Sequence, residues 1–320
     1  MYIGIDLGGT NIAAGLVNDQ CEILASKSVP TCADVRTGEE IVKAMAELAL
    51  ELCAENNIDA KDIQWVGIGA PGTIDSENGV IAYANNIKFF DTPAAKIFRE
   101  TFDVPVYLGN DANCAALGEA YAGAAKNARH AIMITLGTGL GGGIIIDKKI
   151  YAGFNGAGGE IGHTVIVKDG KPCSCGRKGC WEAYSSATGL INMTVEAMKK
   201  DTEKKSLLWA KSKDGTLAGV SGRTAYLAAK EGDELALEVT REYEEHLASG
   251  IATVINIFQP EVFCIGGGVS HEGDRLMEPV KKLVREQVYT RSIENLPQTE
   301  VKLAELGNNA GIVGAAMLGK

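Results

Sequence analysis

The residues with the clearest potential for chemistry lie between positions 155 and 186. This stretch carries one histidine and three of the chain's eight cysteines, at His163, Cys173, Cys175 and Cys180. One imidazole and three thiols are the ligand count of a closed tetrahedral zinc site. Glycines and a proline among the cysteines allow a short chain to turn around an ion without strain. The alternative explanations are a disulfide or three unrelated buried thiols.

A second candidate group consists of two aspartates at the ends of predicted strands. Asp6 closes the first strand, and the glycines of the following loop, Leu7 to Asn11, can turn several backbone amides toward an anion. A plain hairpin turn explains this loop equally well. Asp111 stands where a strand meets an alanine-rich helix, and a carboxylate at such a junction is often only a helix cap.

Two further glycine-rich segments follow strands. The strand Ala131 to Leu136 runs into Gly137 to Gly143, which satisfies the pattern G-x-G-x-x-G. That pattern binds dinucleotides where it opens a helix, but here a β-branched strand follows it. The chain thus has two units of strand, glycine loop and strand. A third glycine turn, Gly266 to Ser270, follows a buried strand, and no P-loop sequence occurs.

The sequence patterns around these residues predict an α/β protein. Apolar residues at helical spacing predict helices over Thr37 to Asn57, Glu182 to Lys200 and Asp233 to Phe258, and Pro260 ends the last one. The strand Gln64 to Gly69 leads into a turn at Pro71 and Gly72. From there to the strand before Asp111 we expect a loop containing Asn85 and Asn86, and a short helical segment.

Composition narrows the class of protein. At 320 residues the chain favours two domains, and 46% hydrophobic with 22% charged residues is typical of a globular α/β protein. A net charge of −10 argues against a nucleic-acid partner. No apolar run reaches membrane-spanning length, and the chain begins directly as a strand, so neither a membrane segment nor a signal peptide is expected. The five cysteines outside the cluster suit a reducing cytoplasm.

Several motifs together resemble the ROK family of bacterial sugar kinases and sugar-responsive repressors. They are DLGGTN at the start, GNDAN around Asp111, LGTGLGGG from residue 136, GEIGH at 159 to 163, CSCGRKGCWE at 173 to 182 and IGGGVS at 265 to 270. The resemblance runs in order from residue 2 to about 315. It implies a two-domain actin/hexokinase-like (ribonuclease H-like) α/β fold with an interdomain cleft. Residues 1–115 with about 305–320 would form the small domain, and residues 116–304 the large one.

The resemblance also implies a role for each matching residue. Asp111 matches the catalytic base, and His163 is expected to bind zinc through one ring nitrogen and face the sugar with the other. The other sugar contacts would be Gly72, Asn86, Asn110, Glu160 and Glu182, although Phe90 stands where the family usually has Trp. The ATP contacts would be Asp6, Gly8, Gly9, Thr10, Asn11, Thr138, Gly139, Gly266, Gly267 and Gly268.

The implied activity is transfer of a phosphoryl group from ATP with Mg²⁺ to a hexose, with glucose at its 6-hydroxyl as the first expectation. Zinc would be structural, held by His163 and the three cysteines, and a cytoplasmic homodimer or homotetramer is expected. The alternatives are a kinase for N-acetylmannosamine, N-acetylglucosamine, fructose or allose, a sugar-responsive repressor, and an actin-like structural protein. The family's repressors carry a DNA-binding domain before the first phosphate loop, which here starts at residue 6, and an actin-like protein leaves the cysteine cluster unexplained.

Overall fold

The computed structural model describes residues 1–84 and 87–320. Its contacts divide the chain into two compact units. The first comprises Met1–Met133, Gly142–Gly159 and Ala304–Lys320, and the second comprises Ile134–Gly141 and Glu160–Leu303. These bounds differ from the division into 1–115 with 305–320 and 116–304, which stays a prediction.

The chain contains both strands and helices along its length, which confirms the α/β class. The strands are β1 (Tyr2–Leu7), β2 (Asn11–Val17), β3 (Ile23–Pro30), β4 (Trp65–Ala70), β5 (Thr73–Asp75), β6 (Val80–Ala84), β7 (Phe89–Thr92), β8 (Val106–Asn110), β9 (Ala131–Leu136), β10 (Leu140–Ile146), β11 (Lys149–Ile150), β12 (Val262–Gly266) and β13 (Glu300–Leu303). The α-helices are α1 (Gly38–Glu55), α2 (Ala94–Thr101), α3 (Asp111–Ala122), α4 (Glu182–Ser185), α5 (Ala187–Lys200), α6 (Leu208–Lys211), α7 (Thr224–Ala229), α8 (Glu234–Phe258), α9 (Asp274–Gln287) and α10 (Ala310–Ala316).

The first unit contains a five-stranded sheet with the order β3-β2-β1-β4-β8. The three N-terminal strands pair antiparallel, as a meander does, whereas β1, β4 and β8 run parallel. Ile3, Ile5 and Leu7 on β1 are fully buried and belong to the core. Because the three parallel strands share a direction, their carboxyl ends meet at one edge, where α/β proteins place ligands.

The C-terminal helix α10 lies directly on this sheet. A Cβ at Gly67 of β4 would stand 1.7 Å from the carbonyl oxygen of Ala315, so only glycine allows this approach. Two other glycines allow a close approach between α10 and α3. A Cβ at Gly314 would stand 1.6 Å from the carbonyl oxygen of Cys114, and a Cβ at Gly118 would stand 2.3 Å from the carbonyl oxygen of Ala310. The helix that begins with Asp111 is therefore held through the C-terminal helix.

The second large sheet has the order β11-β10-β9-β12-β13, and five helices, α4 to α8, lie in sequence between β11 and β12. The longest, α8, begins with Asp233 as its N-cap, whose side chain accepts a hydrogen bond from Ala236 N. It ends at Gln259 in the left-handed region, directly before Pro260. The predicted helix over Asp233 to Phe258 is therefore confirmed. Within the described residues no helix combines the length and the apolarity needed to cross a bilayer.

Two predicted elements were wrong. The segment after Gly72 is not a loop with a short helix alone, because β5, β6 and β7 form a three-stranded antiparallel sheet before α2. The predicted helix from Glu182 to Lys200 is broken at Ser186, which has extended dihedral angles of −78° and 169° and caps α5 through Gly189 N. The break leaves Glu182 at the start of a separate single-turn helix, α4.

Candidate active site and metal centre

Asp6 and Asp111 lie at the carboxyl edge of the parallel strands in the first unit. Asp6 is on β1 beside Gly69 of β4, and Asp111 begins α3 directly after β8. Burial, reinforced by the charge of Asp111, raises the pKa of Asp6 to about 6. Burial also raises the pKa of Asp111, against hydrogen bonds from backbone amides that lower it. These two neighbouring carboxylates would both be stabilised by a cation or by a proton donor.

Asn110 and Gly72 form one structural pair. The Oδ1 atom of Asn110 accepts hydrogen bonds from Ala112 N at 3.0 Å and Asn113 N at 3.2 Å, so it is the N-cap of α3. Its Nδ2 atom donates to the carbonyl oxygen of Gly72 at 3.1 Å. Gly72 has a φ of +94°, and a Cβ there would stand 2.0 Å from Tyr83 O. The Asn110 side chain also hydrogen-bonds the Asp111 carboxylate, which counteracts the rise in the pKa of Asp111.

The first glycine loop, Gly8 to Asn11, is a tight turn between β1 and β2. Gly8 N donates to Asn11 O at 2.9 Å, and Thr31 binds the loop from outside, its Oγ1 donating to Gly8 O at 2.7 Å. Gly9, Thr10 and Asn11 are exposed. The geometry fits both explanations of this loop, since a hairpin turn with an exposed tip can also present amides to an anion. Asn86, the remaining predicted sugar contact of this unit, lies outside the described residues.

The second glycine loop, residues 137–139, joins β9 to β10 and is held at both ends. Helix α5 binds one end, with Ala187 N donating to Gly137 O at 2.9 Å and Thr188 Oγ1 donating to Thr138 O at 2.7 Å. At the other end Leu140 N donates to Oε2 of Glu182 at 3.0 Å. Thr138 is exposed at the tip of the loop.

The third glycine turn lies next to the second loop, because β12 and β9 are neighbours in the sheet. Gly267 has a φ of +87°, and a Cβ there would stand 2.5 Å from Leu136 N. Gly266 ends β12, and Gly268 begins the short 3-10 helix that follows. The structure therefore brings Thr138 and Gly139 to the same strand edge as Gly266, Gly267 and Gly268.

The four predicted metal ligands come together in the second unit. One ligand atom from each of His163, Cys173, Cys175 and Cys180 lies within 4.8 Å of all the others. The Sγ atoms of Cys175 and Cys180 are 3.7 Å apart, and Cys173 Sγ is 3.6 Å from His163 Nδ1. A tetrahedral zinc ion separates two thiolate sulfurs by about 3.8 Å, and a sulfur from an imidazole nitrogen by about 3.5 Å, given its usual bond lengths.

These distances separate the explanations that the sequence left open. A disulfide requires sulfurs about 2.0 Å apart, and all eight cysteines are free thiols. Burial raises the pKa of Cys180 to about 12, with smaller contributions from the neighbouring thiols. Without a cation Cys180 is therefore a neutral thiol at pH 7, and a bound cation would displace its proton. The donor set, its spacing and its closed shape all fit a structural zinc ion.

Glu160 is a close neighbour of the predicted metal ligand His163. A 3-10 helix, Ile161–His163, follows Glu160, and His163 Nε2 is 4.0 Å from a carboxylate oxygen of Glu160. Because Nδ1 faces Cys173, the other ring nitrogen, Nε2, is left for a different partner, and its predicted contact with a sugar stays a prediction. Nε2 and the mostly exposed carboxylate of Glu160 remain accessible to a polar ligand.

Glu182 has partners that the sequence did not predict. Its Oε1 accepts a hydrogen bond from Ser174 Oγ at 3.1 Å and lies 3.5 Å from Cys173 Sγ, while Oε2 accepts from Leu140 N. Ser174 lies between two ligand cysteines, where only its position, and not its residue type, could have drawn attention to it. Leu140 contributes a backbone amide, which leaves no signal in a sequence.

The sequence matches one protein family over nearly its whole length. The model of the ROK family matches residues 2–320. The chain belongs to the ROK family. Its structure is that of the ROK sugar kinases, so the predicted actin/hexokinase-like fold is confirmed.

Individual relatives within the family differ in activity. A glucokinase from Streptomyces coelicolor is 38% identical over 320 residues, which cover 100% of this chain and 98% of that protein. A crystal structure of a ROK family glucokinase from Streptomyces griseus in complex with glucose and AMPPNP is 37% identical, with a TM-score of 0.81 over 99% of this chain and 98% of that one. A xylose repressor from Caldicellulosiruptor bescii is 31% identical over 98% of this chain and 76% of that protein.

Proposed function

We propose that the protein is an ATP-dependent hexose kinase that phosphorylates D-glucose at its 6-hydroxyl. The observation that carries this proposal is Asp111, a carboxylate of raised pKa at the start of α3, in a chain 38% identical over its whole length to a glucokinase. The second candidate is a ROK kinase for N-acetylmannosamine, N-acetylglucosamine, fructose or allose. The third is a sugar-responsive regulator, which the similarity to a xylose repressor keeps open.

In the proposed reaction Asp111 is the base. One of its oxygens, Oδ1, accepts a hydrogen bond from Ala112 N at 2.8 Å, which fixes the carboxylate, and the sugar hydroxyl would donate to Oδ2. As the sugar oxygen bonds to the γ-phosphorus and the bond to ADP breaks, the hydroxyl proton passes to Asp111. A weak base suffices because the transition state of phosphoryl transfer is loose, so the proton leaves late and positioning contributes most. Burial makes Asp111 a better base than an exposed aspartate.

The phosphates would be held mainly by backbone amides. The tips of both glycine loops, at Gly9 to Asn11 and at Thr138 to Gly139, offer amides and hydroxyls to the nucleotide, and the turn at Gly266 to Gly268 would lie beside the adenosine. The Mg²⁺ ion that accompanies ATP supplies charge neutralisation. A cation would also favour the charged form of Asp6, because burial and the charge of Asp111 raise the pKa of this carboxylate to about 6.

The sugar would be read by directional hydrogen bonds. Asn110 would offer its side-chain amide, His163 its Nε2, and Glu160 and Glu182 their carboxylate oxygens to the sugar hydroxyl groups. The metal ligands His163, Cys173, Cys175 and Cys180 would hold zinc in a closed set without an open position, so the ion supplies structure alone. By fixing Nδ1 of His163, the metal site orients Nε2.

A substrate panel tests the proposal. ADP release should require a hexose and should have its highest kcat/KM with glucose, while Asp111→Asn should lower kcat by about 10²- to 10⁴-fold, the usual contribution of a general base. Asp103→Asn, an exposed aspartate of the same unit, is the matched control and should remain active. A higher kcat/KM with another sugar selects the second candidate. No turnover with any sugar, together with sugar-dependent DNA binding at physiological salt, selects the third.

The assembly state and the location are further parts of the proposal. We expect a homodimer or homotetramer in the cytoplasm. Light scattering after size-exclusion chromatography would measure the assembly state, and the mass of a monomer would contradict the expected oligomer.

A further inference from the structure

Glu182 lies between two loops of the second unit that the reaction uses for different purposes. One carboxylate oxygen, Oε1, contacts the metal loop, residues 163–180, through Ser174 Oγ at 3.1 Å and Cys173 Sγ at 3.5 Å. The other, Oε2, accepts the amide of Leu140 at 3.0 Å. A single side chain therefore connects the ligand cysteines with the second glycine loop.

The contact with the glycine loop is close. A Cβ at Gly139 would stand 2.5 Å from Oε2 of Glu182, so the carboxylate lies directly against the loop backbone. The other attachments of this loop, at Gly137 and Thr138, come from α5, on the far side of the break at Ser186. A movement of Glu182 would thus release the Leu140 end of the loop while α5 keeps the Gly137 end.

Ser174 lies in a short turn of the metal loop. It is exposed and stands between two predicted ligands, Cys173 and Cys175. Gly176 N donates to Cys173 O and Cys173 N donates to Arg177 O, so backbone hydrogen bonds give the turn its shape. A bound ion would in addition fix the side chains of the two cysteines that flank Ser174.

We propose that Ser174 and Glu182 are positioning residues that couple the metal site to the second glycine loop, so that metal occupancy sets the conformation of Gly139 and Leu140. Through its structural role, a bound metal ion would then affect the conformation at the nucleotide end of the site as well as the orientation of His163. The consequence for nucleotide binding rests on the proposed kinase function, whereas the coupling between the two loops does not.

Hydrogen exchange measured by mass spectrometry tests the coupling without reference to activity. The Ser174→Ala variant should still bind one zinc per chain, because serine is not a ligand. In the zinc-loaded variant the backbone amides of residues 134–141 should exchange about tenfold faster than in the wild type, as expected for the loss of a hydrogen bond to a charged group. Ser174→Thr, which keeps the hydroxyl, should restore the slow exchange. Ser292→Ala, an exposed serine of the same unit, is the control.

Nucleotide affinity gives the second measurement. By calorimetry, the dissociation constant for AMPPNP should rise several-fold in Ser174→Ala and return toward the wild-type value in Ser174→Thr. Removal of zinc from the wild-type protein by a chelator should reproduce both effects, and zinc should reverse them.

The outcomes separate the two proposals. Unchanged exchange of residues 134–141 in zinc-loaded Ser174→Ala overturns the coupling. If that variant binds less than one zinc per chain, the test is the exchange of residues 134–141 in the wild-type protein with and without zinc. Equal exchange in these two states would overturn the coupling. Zinc-dependent exchange in a protein that phosphorylates no sugar would support the coupling and contradict the proposed function.

Discussion

Glu119 should be the most sensitive polar residue of the first unit. It is fully buried on α3, and its carboxylate accepts three backbone hydrogen bonds, from Ala124 N at 2.7 Å, Glu305 N at 3.1 Å and Leu306 N at 2.8 Å. Hydrogen bonds to a charged group contribute about 1.5 to 3 kcal/mol each. Their loss in Glu119→Ala is partly offset, because the buried charge disappears and water can reach the exposed segment at Glu305. We therefore expect the free energy of unfolding to fall by about 3 kcal/mol.

Urea unfolding measures this change. Limited proteolysis should show faster cleavage around residues 304–307, the return segment before α10, because this segment loses its attachment to α3. Glu119→Gln should fall between the wild type and Glu119→Ala, because an amide keeps one acceptor oxygen. Glu47→Ala, at an exposed position in α1, should change the unfolding free energy by less than about 0.5 kcal/mol. If Glu119→Ala were no more destabilising than Glu47→Ala, the carboxylate would not anchor the return segment.

Three other predictions concern the site. Because the pKa of Asp6 is raised to about 6 in the folded state, the folded protein binds a proton there more tightly than the unfolded chain does, and its stability should fall as pH rises from about 4 to 6. Over that interval the unfolding free energy of Asp6→Asn should increase relative to the wild type by an amount of the order of 2 kcal/mol, measured by chemical unfolding. A difference that does not change with pH would contradict this. The raised pKa of Asp111 should move the acid limb of the kcat/KM profile above the range of an ordinary aspartate, and a limb at the usual pH near 4 would remove Asp111 as the base. Cys175→Ser should lower the zinc content, the thermal midpoint and the glucose affinity together, whereas Cys32→Ser should leave the zinc content unchanged; a metal-free and fully active Cys175→Ser would show that the site does not orient His163.

The glycine motifs and the cysteine spacing predict most of the candidate site because they depend on local sequence. Four metal ligands lie within eighteen positions of one another, so a short chain alone brings them together. Strand ends followed by glycine loops likewise predict where ligands can approach an α/β sheet, independently of how the strands are ordered. The break at Ser186 escaped prediction because apolar spacing continues across it, whereas the break itself depends on the hydrogen bond to Gly189 N.

By itself the sequence determined the α/β class, the long helix ending before Pro260, and the four residues of the metal cluster. It left open whether those cysteines form a disulfide, which the sulfur separation of 3.7 Å excludes. Only the tertiary structure placed Asp6 near Asp111 and set the Glu182 carboxylate between Ser174 and Leu140, since these contacts join residues 105, 8 and 42 positions apart. Burial and backbone hydrogen bonds between distant segments, which no local pattern encodes, decided them.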